Sequence, residues 1–137
     1  HVTGLGLNAD ELHANPRVDE AVIHDLNVHA ELPFADATFA GAVCSVSVQY
    51  MVRPLDTFAS VARVLTPGAP FAVAISTRMF EQKAVLAWRA SDDGAHERLV
   101  RGYFAATEAF GAVQVERHAP GGCDPVTILW ARRATWP

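Results

Sequence analysis

Strand-like and helix-like patterns alternate along this chain, and that alternation restricts its possible folds more than any other feature of the sequence. Short apolar, β-branched runs are separated by segments in which apolar residues recur at helical spacing. Such an order predicts an α/β architecture with a largely parallel, buried sheet. The predicted strands cover residues 2–7, 21–25, 39–48 and 71–76, followed by an antiparallel pair near 112–117 and 126–131.

Residues with known capping preferences mark the predicted helix boundaries. Asn8 or Asp10 is suited to cap a brief helix that Asn15 and Pro16 end. Pro54 is suited to a first helical position, where its missing N–H costs nothing. Two further helices are predicted near residues 80–89 and 95–105, separated by segment 91–94, whose Ser and Asp residues suit a cap.

Composition and charge exclude several classes of protein. With 137 residues, 50% of them apolar, the chain is expected to fold as a single domain over residues 1–137. A net charge of -4 without any block of Lys or Arg argues against binding nucleic acid. The longest uncharged run, residues 37–52, is too short and too interrupted by polar residues to span a bilayer. We therefore expect neither a membrane nor a nucleic-acid partner.

The cysteines and histidines do not form recognisable ligand sets. Cys44 and Cys123 are too few for a disulfide framework and lack the spacing of a zinc site, which favours a reducing, cytoplasmic location. Cys44 lies in an apolar run and is more typical of a buried, inert thiol than of a nucleophile. His24 and His96 have no companion ligands at metal-binding spacing, so no metal site is predicted.

Several consecutive motifs resemble those of one enzyme family. Residues 32–39 read Leu-Pro-Phe-Ala-Asp-Ala-Thr-Phe, residues 43–50 continue as a strand-like run, and residues 62–68 read Ala-Arg-Val-Leu-Thr-Pro-Gly. In this order they are similar to class I S-adenosylmethionine-dependent methyltransferases, and most similar to a methyltransferase type 11-like subgroup. The subgroup resemblance rests also on residues 4–8, 24–27 and 76–84.

This resemblance implies a fold, a cofactor and a reaction. The implied fold is α/β, a Rossmann-like open, mostly parallel sheet with an antiparallel C-terminal strand. The implied cofactor is S-adenosylmethionine, and the implied reaction is methyl transfer to an acceptor molecule. The absence of basic runs favours a small-molecule acceptor over nucleic acid, while a protein acceptor stays open.

The chain departs from the family pattern near its N-terminus. The family's first strand and glycine-rich first loop have no counterpart, and Gly6 stands where an acidic residue usually binds the ribose. Asn8 could offer an amide instead. Because the missing strand is central in such folds, we expect a gap with open strand edges on both sides. The gap would be closed by an upstream segment, by a second chain such as another copy, or by direct pairing of the flanking strands.

The resemblance and the strand ends nominate site residues. Asp25 is the best single candidate, because a carboxylate at the C-terminal end of a strand can accept the adenine amino hydrogens. Its alternative role is to cap the turn it forms with Leu26 and Asn27. The cofactor-binding candidates are Gly6, Asn8, Asp25, Leu26 and Ser45. The substrate-binding candidates are Gln49, Tyr50 and Arg78, and no residue is nominated as catalytic.

Less specific roles compete with some of these assignments. Arg78 has the alternative of a solvated charge near a helix start. The aromatic residues are spaced for core packing rather than for an aromatic cage around a cation. Those residues are Trp88, Tyr103, Phe104 and Phe110.

Two other functions remain open at this point. The incomplete cofactor site fits a non-catalytic methyltransferase-like module that acts through a partner chain. Residues 4–9 also fit Gly-x-Gly-x-x-Ala, with Asp25 at a suitable distance for the ribose of a nicotinamide dinucleotide. Against this second alternative, Pro16 shortens the helix whose N-terminus would hold the pyrophosphate.

Overall fold

Strands and helices alternate in the computed structural model, which describes residues 1–135. The strands are β1 (Thr3–Gly6), β2 (Glu20–Ile23), β3 (Ala42–Ser45), β4 (Pro70–Ser76), β5 (Gln114–His118) and β6 (Val126–Arg132). The helices are α1 (Ala9–Ala14), α2 (Pro54–Val64), α3 (Leu86–Arg89) and α4 (Asp93–Thr107), with a 3₁₀ turn at Val48–Tyr50. The signals read from the sequence are present at the helix starts: Asn8 caps α1, Pro54 opens α2 and Asp92 caps α4.

The strands form two separate ladders. β1 and β2 pair in parallel, and the larger sheet has the order β3-β4-β6-β5. Within it β3 and β4 are parallel, whereas β6 runs antiparallel to both β4 and β5. This confirms the predicted α/β, Rossmann-like sheet with an antiparallel C-terminal pair.

β1 and β3, which the resemblance places on either side of the missing strand, each have an open edge. Among residues 1–135, each of these strands pairs on one side only, with β2 and β4 respectively. Direct pairing of the two flanking strands, one of the three expected ways to close the gap, is therefore wrong for this chain.

The main core lies on one face of the larger sheet. Along β4 the buried side chains of Phe71, Val73 and Ile75 alternate with the less buried Ala72 and Ala74, so α2 and α4 cover only one face. Phe58 of α2 packs edge-on against Phe71 and Phe104, with ring centroids 5.1 Å apart in each pair. As predicted, Trp88, Phe104 and Phe110 belong to this core, and Tyr103 packs against it.

β1, α1 and β2 form a small unit with little core of its own. No residue of these three elements is fully buried. A Cβ at Gly4 would lie 3.0 Å from side-chain atoms of Leu12 and Val18, so a glycine lets α1 approach β1. The stability of the molecule therefore resides mainly in the larger sheet and its two long helices.

Two sequence predictions need correction. Residues 39–48 do not form one deeply buried strand: β3 is four residues long, and Val43 is 76% exposed. Val43 pairs in register with Ala72, so it points to the uncovered face of an edge strand. The helix predicted over residues 80–89 is reduced to α3, and residues 80–85 form a loop. No helix in residues 1–135 has the length and apolarity needed to cross a membrane.

Candidate functional site

The loops that follow β2 and β3 are joined by the side chain of Asn27. Asn27 Nδ2 donates to the carbonyl of Tyr50 (2.9 Å), and Asn27 Oδ1 accepts from the N–H of Val52 (3.0 Å). Because one amide bridges both loops, the C-terminal ends of β2 and β3 lie at the same edge of the molecule. Ligands of open α/β sheets bind at such an edge.

Asp25 lies at this edge and is half-buried. Its Oδ1 accepts from the N–H of Asn27 (2.9 Å), which is the turn-capping role considered for it. Oδ2 accepts no hydrogen bond from another described residue, so one carboxylate oxygen is left for a ligand. The side chain of Leu26 packs against the rim of the main core.

The end of β3 contains a strained residue. Val46 has a φ of 48°, a left-handed conformation that is rare for a β-branched side chain. Its N–H still donates to the carbonyl of Ala74 (2.8 Å), so the ladder with β4 continues into the turn. Ser45, just before it, is exposed at the strand end. Strain of this kind is concentrated at functional sites.

Gln49 carries an unpartnered oxygen inside the protein. The side chain is 2% exposed, and its Nε2 donates to the carbonyl of Val46 (3.2 Å). Among the side chains of residues 1–135, Gln49 Oε1 is the buried polar atom that lacks a hydrogen-bond partner. An unpaired buried carbonyl costs free energy, and neither of the two described pockets includes Gln49 in its lining.

Tyr50 joins the loop after β4 to this edge. Its hydroxyl oxygen accepts from the N–H of Phe80 (2.9 Å), while the backbone carbonyl of Gln49 accepts from Val85 (3.0 Å). Arg78, in the same loop, forms an ion pair with Asp124, and its side chain is 80% exposed. The structure thus brings Tyr50 and Gln49 beside the Asp25 loop, whereas Arg78 lies at the rim.

The polar groups at the end of β1 form hydrogen bonds within the chain. Gly6 accepts from the N–H of His24 (3.0 Å), which places it next to the Asp25 loop. Asn8 Oδ1 accepts from the N–H groups of Asp10 and Glu11, so the oxygen of this amide caps α1 and its Nδ2 is the part left for a ribose.

The same contacts disfavour a dinucleotide site at α1. The N–H groups of Asp10 and Glu11 that could face a pyrophosphate are already bonded, and these two residues add negative charge there. The helix is also only six residues long. The geometry gives no support to nicotinamide dinucleotide binding.

Cys44 belongs to the packing of β3. Burial raises the pKa of its thiol, although the neighbouring Ser47 hydroxyl, 3.2 Å from Sγ, opposes this effect. A thiol that ionises reluctantly is a poor nucleophile, in agreement with the inert role expected for it.

Two functional candidates were missed by sequence reasoning. Asn27 stands in a motif that carried the family resemblance, but its bridging role depends on residues more than 20 positions away. His96 is 5% exposed and stacks on Trp88 with ring centroids 4.0 Å apart. No local pattern identifies His96 as a candidate. Its stacking partner, Trp88, lies in α3, and the pocket that it lines includes the end of β4.

A wide groove of about 810 Å³ lies between the start of α2 and α4. Its lining is mostly apolar and includes Leu55, Leu99 and Tyr103. None of the predicted site residues lines it, so it is a feature of the helical layer rather than of the strand ends.

Residues 1–73 match the profile of a family described as methyltransferase domain. A curated relative, the biotin biosynthesis bifunctional protein BioHC of Teredinibacter turnerae, is 36% identical over an alignment of 90 positions that covers 61% of this chain. The chain spans about 15% of the length of that relative.

Solved structures share the fold at low identity. A protein of Haloferax volcanii, solved in complex with the Trm112 methyltransferase activator, has a TM-score of 0.71 at 16% identity, with 96% of this chain and 71% of that chain covered. An S-adenosylmethionine-dependent methyltransferase of Methanosarcina mazei has a TM-score of 0.62 at 14% identity, covering 98% and 82%. The [4+2]-cyclase SpnF has a TM-score of 0.67 at 16% identity, covering 99% and 68%.

Proposed function

The chain belongs to the methyltransferase domain family, and on that premise we propose that it carries the cofactor site of an S-adenosylmethionine-dependent methyltransferase acting on a small molecule. Residues 1–137 act as one domain in this proposal. The free thiols of Cys44 and Cys123 fit a reducing compartment such as the cytoplasm.

The observation that carries this proposal is Oδ2 of Asp25, a carboxylate oxygen left without a donor at the ligand-binding edge. It supplies a hydrogen-bond acceptor at the C-terminal end of β2. The adenosyl part of the cofactor has amino and hydroxyl hydrogens, so the donor and acceptor types are complementary. The described residues fit the cofactor in this respect.

Each candidate residue has a role that follows from its position. Asp25 accepts a hydrogen bond from the adenosine, and Leu26 forms an apolar wall beside it. Gly6 and Ser45 add little bulk at the ends of β1 and β3, which permits close approach. Asn8 offers Nδ2 of its amide to the ribose, because its Oδ1 caps α1. When bound, S-adenosylmethionine supplies an electrophilic methyl group on its sulfonium.

The acceptor molecule is placed on the side of the loop after β4. Tyr50 and Gln49 hold that loop and orient the acceptor, and Arg78 faces its approach from the rim. Catalysis by alignment and by exclusion of water requires no metal ligand from the chain. The net charge of -4 supports a small molecule over nucleic acid as the acceptor.

A second candidate function is a methyltransferase-like module that has no transfer activity and works through a partner. The unpaired edges of β1 and β3 favour it, because open edges invite a strand from another segment or chain. The SpnF likeness also illustrates that one fold hosts different chemistry. Either function includes a strand supplied by an upstream segment or by another copy of the chain.

Calorimetric titration with S-adenosylhomocysteine tests the proposal without an acceptor. We expect saturable binding that Asp25→Asn weakens roughly tenfold, the equivalent of about 1.4 kcal/mol. Asn keeps the oxygen that caps Asn27, so the melting temperature should stay unchanged. Asp36→Asn, an exposed carboxylate paired with Arg63, is the control and should bind like the unmodified chain.

The titration is repeated with a protein that includes the residues upstream of His1 where the gene encodes them. Absence of binding in both forms would contradict the cofactor site and favour the module without transfer activity. Equal affinities for the Asp25→Asn and Asp36→Asn variants would remove Asp25 from the site.

A further inference from the structure

His96 is held in one orientation by its surroundings. Its ring stacks on Trp88 with an interplanar angle of 6°, and Nε2 lies 2.7 Å from the carbonyl oxygen of Trp88. A carbonyl oxygen only accepts hydrogen bonds, so Nε2 must carry a hydrogen. In the neutral ring the lone pair therefore lies on Nδ1.

Nδ1 of the ring forms no hydrogen bond to another described residue, and the ring lines a pocket. The closest charged atom is Oδ1 of Asp93, 3.8 Å away, which is beyond hydrogen-bonding distance. Nδ1 is not among the closed-off polar atoms of the described residues, so its lone pair is open to a donor that enters the pocket. The contacts with Trp88 thus hold Nδ1 in position to accept a hydrogen bond from a ligand.

The ring lines a small pocket at the C-terminal end of β4. Its volume is about 70 Å³, enough for a head group of a few non-hydrogen atoms. The polar residues of the lining are Ser76, Thr77, Asp93, His96 and Thr127.

The charges at the pocket determine the type of ligand. Asp93 is the charged side chain in the lining, and no Lys or Arg among residues 1–135 lines it. Arg78, close to Ser76 in the sequence, is paired with Asp124. The full negative charge of Asp93 exceeds the partial positive charge at the N-terminus of α4, so a cationic donor is preferred to a carboxylate or phosphate.

We infer that this pocket binds the ammonium group of a small amine, with His96 Nδ1 and the Asp93 carboxylate accepting its hydrogen bonds. A nitrogen placed about 2.9 Å from both atoms fits their 3.8 Å separation. The third ammonium hydrogen reaches the hydroxyl oxygen of Thr77 or Thr127. The inference rests on the proposed function and extends it, since it makes the methyl acceptor an amine-bearing molecule.

Nuclear magnetic resonance of the full chain, labelled with ¹⁵N, tests this pocket without any cofactor. At pH 8, ethylammonium chloride should shift the His96 Nδ1 resonance and the Thr127 amide resonance in a saturable manner. Sodium chloride at the same ionic strength and acetonitrile, which has no hydrogen to donate, should leave both resonances in place. An unmoved Nδ1 resonance at 200 mM ethylammonium, or an equal shift with acetonitrile, would overturn the inference.

Two substitutions test the Asp93 carboxylate and the His96 ring nitrogen separately. Asp93→Asn should weaken the binding of ethylammonium at least threefold and leave that of ethanol unchanged, because only the ammonium carries a charge. His96→Gln retains an N–H that can reach the Trp88 carbonyl but removes the ring nitrogen, so the Thr127 shift should disappear. If His96→Gln does not fold, Thr127→Val, which preserves the side-chain shape, should still reduce ethylammonium affinity.

The outcomes of the two titrations are independent. Ethanol binding as tightly as ethylammonium would contradict the ammonium assignment and indicate an alcohol instead. Failure of S-adenosylhomocysteine to bind, together with a saturable ethylammonium shift, would contradict the proposed cofactor site while leaving the amine pocket in place.

Discussion

Val46 shows how a single residue shapes the ligand-binding edge. A left-handed backbone costs an ordinary L-residue about 1–2 kcal/mol, and Val46 adopts it directly after β3. Its N–H bonds Ala74 and its carbonyl accepts from Gln49, so hydrogen bonds on both sides hold the strained turn. This turn positions Gln49, whose Oε1 has no hydrogen-bond partner.

Replacing Val46 by Gly should stabilise the protein by about 0.5–1 kcal/mol, because the relief of strain exceeds the entropy cost of glycine. The same substitution at Val43, an exposed residue in regular strand conformation, should destabilise it by about 0.5–1 kcal/mol. Urea unfolding of both variants measures the difference. Loss of stability in Val46→Gly as large as in Val43→Gly would show that the turn is not strained.

At the scale of elements, Arg63 fastens the segment before β3 to α2. Its guanidinium donates to the carbonyls of Leu32 and Phe34 and to the carboxylate of Asp36, each at 2.8 Å. These are the Leu-Pro-Phe and Arg-Val-Leu motifs that carried the family resemblance. The structure therefore explains why two motifs about 30 residues apart occur together.

Arg63→Met should lower the free energy of unfolding by about 2–3 kcal/mol, since two partly buried carbonyls and one carboxylate lose their donor. Arg63→Lys should recover less than half of this loss, because a single ammonium cannot replace the planar fork. Chemical denaturation followed by circular dichroism gives both values. Full recovery by Lys would indicate that only the charge matters.

At the scale of the whole molecule, the two strand ladders differ in how well packed side chains shield their backbones from water. The larger sheet has a core of buried aromatic and aliphatic side chains between β4, α2 and α4. The unit of β1, α1 and β2 has no fully buried residue, and β1 and β3 each leave one edge unpaired within residues 1–135. Local opening is expected where few apolar contacts hold the backbone.

Hydrogen exchange should therefore separate the two parts of the molecule. Backbone amides of β1 and β2 should exchange at least tenfold faster than those of β4 and β6. Mass spectrometry of peptic fragments measures these rates in the isolated chain. Equal protection in the two ladders would show that the first unit is stabilised by more than its own contacts.

Adding the strand that the gap lacks gives a second measurement at this scale. A longer protein, or a dimer that fills the gap, should protect β1 and β3 together and leave β6 unchanged. Protection of β1 alone would contradict the placement of a shared strand between them.

Much of the fold could be predicted because its determinants are local. Asn8 caps the helix that follows it, Pro54 opens α2, and the apolar periodicity identifies β4 and β6. The exposure of Val43 could not be read in this way, because burial depends on which sheet face the helices cover. The roles of the candidate site residues stay predictions; the structure adds that Asp25 and Tyr50 lie in loops joined by Asn27, a bridge that the sequence did not show.

By itself the sequence determined the order of the strands, the starts of three helices, the family and the strand ends at which a ligand is expected. These properties arise from hydrogen bonds and side-chain periods that extend over a few residues. Only the tertiary structure decided which side chains meet across long separations, such as Asn27 with Val52, Arg63 with Leu32, and His96 with the end of β4. Those contacts depend on how helices pack on a sheet, and no local pattern in the chain encodes the resulting distances.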